Sequence, residues 1–167
     1  PHPWLSDVET AKKILNYKSN IIKIDKIMIP FMKKIIKNEI SSFYSTDYNY
    51  THDLLGASDI VISPLSTILI EALCHGKESI CLIPEDEDGG IFFKDKKKLP
   101  CFKDVTDSDA IKTVENIEDL KKAVILSYQK YKMSDTEIIN KKKANFFVDM
   151  GEPCYQDRLQ ECINDLL

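Results

Sequence analysis

Residues 59–84, which read DIVISPLSTILIEALCHGKESICLIP, decide the fold. Residues 60–62 are apolar and β-branched, as in a buried strand, and the SPLST sequence at residues 63–67 supplies the proline and the hydroxyl side chains that begin helices. Residues 68–74 are apolar except for Glu71, which predicts a largely buried helix. A strand therefore runs directly into a helix.

The end of this helix is marked as clearly as its start. Gly76 follows His75, and glycine is the residue that most readily takes the left-handed conformation that closes a helix. Residues 79–83 then give a second buried strand, which completes a βαβ unit. Together with the alternating strands and helices elsewhere, this unit predicts an α/β fold with a Rossmann-like parallel sheet and helices on both faces.

The turn between the first strand and the helix is a candidate anion site. Its backbone N–H groups lie at a helix start, and Ser63, Ser66 and Thr67 add hydroxyl groups around them. Glu71 is a second candidate, because a carboxylate on an apolar helix needs a hydrogen-bond partner or a ligand when it is buried. The alternative is structural: the hydroxyls cap the helix and Glu71 lies on an exposed flank.

The combination of SPLST, ILIEAL and Gly76-Lys77 resembles the C-terminal, nucleotide-binding half of GT-B glycosyltransferases, particularly bacterial enzymes that build surface polysaccharides. The resemblance implies that Ser66 and Thr67 hold the donor diphosphate and that Glu71 binds the donor ribose. The opening Pro1-His2-Pro3-Trp4 is similar to the His-Pro motif of sialyl- and polysialyltransferases. That similarity implies that His2 contacts the donor phosphate and takes part in catalysis.

The function implied by the resemblance is binding of a UDP- or CMP-linked sugar donor for glycosyl transfer, without a cofactor or a bound metal. Residues 1–167 are then the nucleotide-binding half domain of a longer enzyme, inactive without its N-terminal acceptor half. Two alternatives share the fold: a CDP-alditol phosphotransferase, as in CDP-glycerol transfer, and a UDP-sugar 2-epimerase. A third, from another class, is a non-catalytic α/β interaction domain.

Composition limits the other possibilities. A chain of 167 residues that is 43% hydrophobic is long enough for one domain with a sizeable core. A net charge of −4 argues against a nucleic-acid partner, and no apolar run predicts a spanning segment. The 5 cysteines form no CxxC pair and the 3 histidines stand apart from one another, which argues against a metal site and favours a reducing, cytoplasmic location.

The rest of the chain predicts scaffold. Expected helices cover residues 7–17, with Ser6 and Glu9 as a capping box, residues 30–38, 52–57, 117–131, 135–147 and 155–167, and expected strands cover residues 20–25, 40–44 and 110–114. Thr51 and Asn116 are predicted N-caps, and His52 is a further site candidate. In the helix at residues 117–131 Tyr128 shares a face with Leu120 and Val124, and in the last helix Ile163 is expected to point inward. The acidic, glycine-containing loop at residues 85–90 and the segment at residues 91–100 are a candidate lid.

Overall fold

The computed structural model describes residues 8–39, 47–83, 100–132, 135–148 and 155–164. His2, the predicted strand at residues 40–44 and the predicted loop and lid up to residue 99 lie outside the described residues. The chain divides into two compact groups, Pro1–Tyr48 and Asn49–Leu167. That residues 1–167 form one half domain of a larger enzyme stays a prediction.

The described part of the first group contains two complete helices. α1 covers Val8–Asn16, as the sequence predicts, and α2 covers Met28–Ile36 with Pro30 in its first turn. Their apolar faces pack together around four buried side chains: Ala11, Phe31, Met32 and Ile35. The amphipathic pattern of each helix is therefore satisfied by the other.

The strand predicted at residues 20–25 is wrong. Ile21 is 90% exposed, and no strand forms in this part of the described chain. The Ser19 hydroxyl oxygen accepts hydrogen bonds from the amide N–H groups of Ile21 and Ile22, at 3.1 and 3.0 Å. A serine that binds the backbone two and three residues further on holds the chain in a local turn, and this turn competes with an extended ladder.

The second group contains the sheet and most of the helices. Its described elements, in chain order, are α3 Tyr48–Ala57, whose first residue belongs to the first group, β1 Ile60–Ser63, α4 Ile68–Cys74, β2 Glu78–Leu82, α5 Pro100–Asp107, β3 Lys112–Val114, α6 Ile117–Tyr131, α7 Thr136–Ala144 and α8 Tyr155–Asn164. The predicted β1–α4–β2 unit is confirmed, with α4 at its predicted bounds.

The three strands form one parallel sheet in the order β1-β2-β3. Ser63 lies beside Cys81 in the register of the first pair, and Leu82 lies beside Val114 in the second. The chain is thus an α/β protein with a parallel sheet flanked by helices, consistent with a Rossmann-like fold, and the predicted fold class is confirmed. Because all strands are parallel, their carboxyl ends meet at one edge of the sheet.

Each face of the sheet carries a helix, and the alternation of side chains along β2 shows which. Cys81 packs with Leu69 and Leu73 of α4, and the Ser79 hydroxyl donates to the Leu69 carbonyl oxygen at 2.9 Å. Ile80 points the other way and packs with Ala123 of α6. Successive strand side chains alternate between faces, so α4 and α6 cover opposite sides of β2.

Gly76 ends α4 as predicted. Its φ is +73°, in the left-handed region. The Gly76 N–H donates to the Leu73 carbonyl at 2.8 Å, and the Lys77 N–H donates to the Ala72 carbonyl at 2.9 Å. This pair of bonds is a Schellman motif, which satisfies carbonyl groups that the helix end would otherwise leave free.

A buried polar network ties β2 to α6 and α7. The Glu78 carboxylate, only 9% exposed, accepts from the Ser127 hydroxyl at 3.1 Å and from the Asn140 amide at 3.0 Å. The same Asn140 amide nitrogen lies 3.3 Å from the Gly76 carbonyl oxygen. Within the described residues no lysine, arginine or histidine forms an ion pair with Glu78. Hydrogen bonds from neutral donors therefore replace the water that this carboxylate loses on burial.

Several element details differ from the sequence prediction. α3 begins at Tyr48 rather than at residue 52, so Thr51 lies inside the helix and is not its N-cap. α5 was not predicted, although Pro100 at its first position is a known helix-start signal. In α6 the Asn116 cap is confirmed, since its side chain accepts from the Asp119 N–H, but Tyr128 is 50% exposed.

The buried positions of α6 are small. Ala123 and Ser127, four residues apart on one helix face, lie against the sheet. Tyr128 follows Ser127, and each residue of a helix is rotated by about 100° from the one before it. The Tyr128 side chain therefore points away from the buried face, which accounts for its exposure. In α8, Ile163 was predicted to point inward and is 43% exposed.

Candidate functional site

The candidate turn lies at the carboxyl edge of the sheet. β1 ends at Ser63, residues 64–67 turn, and α4 begins at Ile68. In open parallel sheets this edge, where the strands lead into helices, is where ligands bind. The structure therefore brings Ser63, Ser66, Thr67 and the first turn of α4 together at the expected edge.

Thr67 and Glu71 contact each other. Thr67 precedes α4 with helical angles, φ −60° and ψ −22°, and its side chain caps no backbone N–H. Its hydroxyl instead donates to the Glu71 carboxylate, with 3.3 Å between Oγ1 and Oε1. The partner that a carboxylate on this apolar helix requires is thus one turn earlier in the same helix, and the half-buried Glu71 keeps capacity to accept from a ligand.

Ser66 is the weak cap of the turn. Its hydroxyl oxygen lies 3.5 Å from the Ile68 amide nitrogen, at the long limit of a hydrogen bond. The Ser66 and Thr67 carbonyls accept the first bonds of α4, whereas the Ser66 and Thr67 N–H groups donate to no acceptor among the described residues. Two amides and one hydroxyl group are therefore available to an anion at this turn.

Two further residues are candidates from the sequence, His2 and His52. His2 is outside the described residues, so its proposed catalytic role stays a prediction. His52 does not join the turn: its ring contacts the ring of His75, at the opposite end of α4. Thr67 and His75 are separated by about 12 Å of helix at the usual rise per residue.

The environment of α4 changes the acidity of two side chains near its end. Burial raises the pKa of the Cys74 thiol, and the charge of Glu71 raises this pKa further. Burial lowers the pKa of His75, and nearby His52 and Lys77 lower it further. At neutral pH both groups are therefore held in their uncharged forms.

Two cavities in the described part of the chain lie along β3, away from the turn. One, of about 930 Å³, includes Lys103, Asn116 and Lys122 at the carboxyl end of β3. The other, of about 430 Å³, includes Glu78, Ser127 and other residues at the amino edge. Neither of these two cavities is lined by Ser63, Ser66, Thr67 or Glu71.

The sequence did not predict the contact between His52 and His75, the hydrogen-bond network around Glu78 or the two cavities along β3. Each joins elements far apart in the chain, and no local pattern marks such pairings. The Asn116 cap was the one local sequence signal close to these cavities.

Among the described helices none is long and apolar enough to cross a membrane. No group of three or more His, Cys, Asp or Glu side chains in the described ranges is placed to hold a metal ion. Comparison of the chain with protein-family models, curated proteins and solved structures gives no match.

Proposed function

We propose that the chain binds the nucleotide part of a nucleotide-sugar donor, UDP- or CMP-linked, at the turn between β1 and α4. The observation that best supports this function is the Thr67–Glu71 contact of 3.3 Å at the carboxyl edge of a parallel sheet, beside two amides that donate to no acceptor among the described residues. The resemblance of residues 59–84 to GT-B enzymes points to the same residues. The chain would then serve glycosyl transfer in surface polysaccharide synthesis.

The chemistry of the turn suggests how the nucleotide binds. Phosphate oxygens accept from the Ser66 and Thr67 N–H groups and from the Ser66 hydroxyl, as anions do at helix starts. The ribose hydroxyls donate to the Glu71 carboxylate, which has acceptor capacity beyond its bond from Thr67. The two subsites are about one helical turn, 5.4 Å, apart, which suits the ribose and phosphate of one nucleotide.

For a transferase, the same contacts stabilise the diphosphate as it leaves. Hydrogen-bond donors fixed around an oxygen that gains negative charge lower the barrier to its departure. In this proposal His2 adds one donor, and the acceptor substrate and the general base belong to an N-terminal half domain. Transfer of an alditol phosphate from a CDP donor, or 2-epimerisation of a UDP-sugar, would use the same nucleotide contacts.

The rival from another class is an interaction domain in which the turn only begins a helix. The Thr67–Glu71 bond fits this view as well, because it satisfies both side chains without a ligand. Nucleotide binding distinguishes the two functions. An interaction domain has no reason to prefer uridine or cytidine nucleotides to adenine nucleotides.

Glu71→Ala should weaken binding of UDP or CMP by about 10- to 100-fold, since losing a hydrogen bond to a charged group costs ~1.5–3 kcal/mol. The domain should stay folded, because Glu71 is only half-buried and alanine favours helices. Titration calorimetry on the wild type and the variant gives both dissociation constants.

The matched control is Glu118→Ala, which removes an exposed carboxylate from the first turn of α6. It should leave nucleotide affinity unchanged. Equal affinities for wild type and Glu71→Ala would remove Glu71 from the site.

Ser66→Ala should separate the two subsites. It should weaken UDP by about 2- to 12-fold through one lost hydrogen bond of ~0.5–1.5 kcal/mol, while uridine, which has no phosphate, binds as before. Thr67→Ala should weaken both, because Thr67 also holds Glu71.

Ser58→Ala, at the opposite edge before β1, is the control and should change neither affinity. If Ser66→Ala reduces the affinity for uridine and for UDP by the same factor, the turn is not a phosphate site.

A further inference from the structure

The structure brings together two histidines that stand apart in the sequence. The ring centroids of His52 and His75 are 4.4 Å apart, with an angle of 61° between the ring planes. His52 lies in α3 and is exposed, whereas His75 is the half-buried C-cap of α4. Two different elements therefore present imidazoles to the same point.

Local bonds hold both elements in place around this pair. The Schellman motif fixes the backbone at His75, and the Lys77 ammonium donates to the Gly56 carbonyl of α3 at 2.9 Å. The positive charge of the nearby Lys141 is offset by Glu137, which it contacts at 2.6 Å. The histidine pair thus sits in a pre-formed position, beside the Lys77 ammonium and the Lys141–Glu137 ion pair.

We propose that His52 and His75 bind one divalent transition-metal ion of borderline softness, such as Zn²⁺ or Ni²⁺, between α3 and the end of α4. Imidazole nitrogen is a preferred ligand of these ions, with Zn–N distances of about 2.0–2.1 Å. Rings that already touch need only side-chain rotation to share one ion. Neutral imidazole is the form that binds such an ion.

The site is a two-histidine site. The described residues place no third acidic, histidine or cysteine ligand around the ion. Solvent fills the remaining positions, so binding is weaker than at a four-ligand structural site.

Metal binding at this position has a mechanical consequence. The ion joins α3 to α4, and an ion that binds the folded chain more tightly than the unfolded chain raises the midpoint of thermal unfolding. The candidate nucleotide turn lies at the other end of α4. The metal should therefore stabilise the fold without occupying that turn.

The test uses the tag-free 167-residue chain with Zn²⁺ alone, and in parallel with Ni²⁺. Calorimetry should give one ion per chain, and Zn²⁺ should raise the thermal midpoint. His52→Ala and His75→Asn should each weaken binding by at least about 10-fold and abolish the midpoint shift. His2→Ala changes the third histidine and should retain both responses.

His75→Asn keeps a polar side chain at the C-cap, and the exposed His52 tolerates alanine in a helix, so a folded variant is expected in each case. Circular dichroism at low temperature verifies the fold of both. Failure of Zn²⁺ and Ni²⁺ to bind the wild type overturns the proposal. So does binding that persists in the two variants, or that disappears in His2→Ala.

Discussion

Gly76→Ala should lower the free energy of unfolding by about 2–4 kcal/mol, the sum of a left-handed backbone penalty and a steric clash. Gly76 has φ +73°, and a Cβ at this position would meet the Glu137 side chain and also its carbonyl oxygen and Cα, at 3.1 and 3.2 Å. The Glu137 side chain can move aside, but the backbone of α7 cannot do so without shifting the helix. Urea unfolding measures the loss.

Gly56→Ala is the matched control. Gly56 lies in α3, and a Cβ there meets no atom within 4 Å. Alanine in a helix should raise the free energy of unfolding, by up to about 0.5–1 kcal/mol. The account of the α4–α7 contact fails if the two substitutions have the same effect or if Gly76→Ala is neutral.

Asn140→Ala should destabilise the chain by about 2–4 kcal/mol, because a hydrogen bond to a carboxylate is lost and a small cavity remains. Asn140 is fully buried and donates to the Glu78 carboxylate at 3.0 Å and to the Gly76 carbonyl at 3.3 Å. Its removal leaves the Ser127 hydroxyl, at 3.1 Å, as the hydrogen-bond donor to Glu78 among the described residues. Chemical denaturation gives the difference.

Two further variants sharpen this result. Asn145→Ala, at the exposed end of the same helix, should stay within about 0.5 kcal/mol of the wild type. Asn140→Asp has nearly the same volume but places a second carboxylate against Glu78, so at neutral pH it should destabilise at least as much as alanine. If Asn140→Asp leaves the free energy of unfolding unchanged, the network does not contain a charged Glu78.

The sequence predicts the central βαβ unit well because every signal there is local. The apolar run before Ser63, the proline and hydroxyls of the turn, and Gly76 each act within a few residues of where they stand. The Asn116 cap belongs to the same category, since it bonds to the N–H three residues later. Such contacts form in any tertiary context, and the structure retains them.

The errors arise where a local signal competes with another or where the tertiary context decides. Residues 20–25 have strand-like isoleucines, but Ser19 turns the backbone and no neighbouring strand pairs with it among the described residues. Tyr128 has the spacing expected of a buried residue in α6, but the α6 residues that are buried against the sheet are Ala123 and Ser127. Helix spacing identifies a face and does not say which face approaches the sheet.

The candidate site was predictable in part. The grouping of Ser63, Ser66, Thr67 and Glu71 at the carboxyl edge follows from the βαβ pattern. The bond from Thr67 to Glu71 was not predicted, because capping by the hydroxyl was an equally local alternative. The contact between His52 and His75 depends on how α3 lies against α4, which no periodicity determines.

The central claim, nucleotide binding at the β1–α4 turn, is tested most directly by titrating UDP, CMP and ADP into ¹⁵N-labelled chain and following the backbone amides. UDP or CMP should shift the Ser66 and Thr67 amides, which donate to no acceptor among the described residues, together with the amides of the first turn of α4. The resemblance to GT-B enzymes implies a UDP- or CMP-linked donor, and on that ground ADP should leave these amides in place. The proposal is contradicted if none of the three nucleotides saturates the chain, or if all three shift these amides equally. It is also contradicted if the shifts are confined to the residues that line the larger cavity along β3.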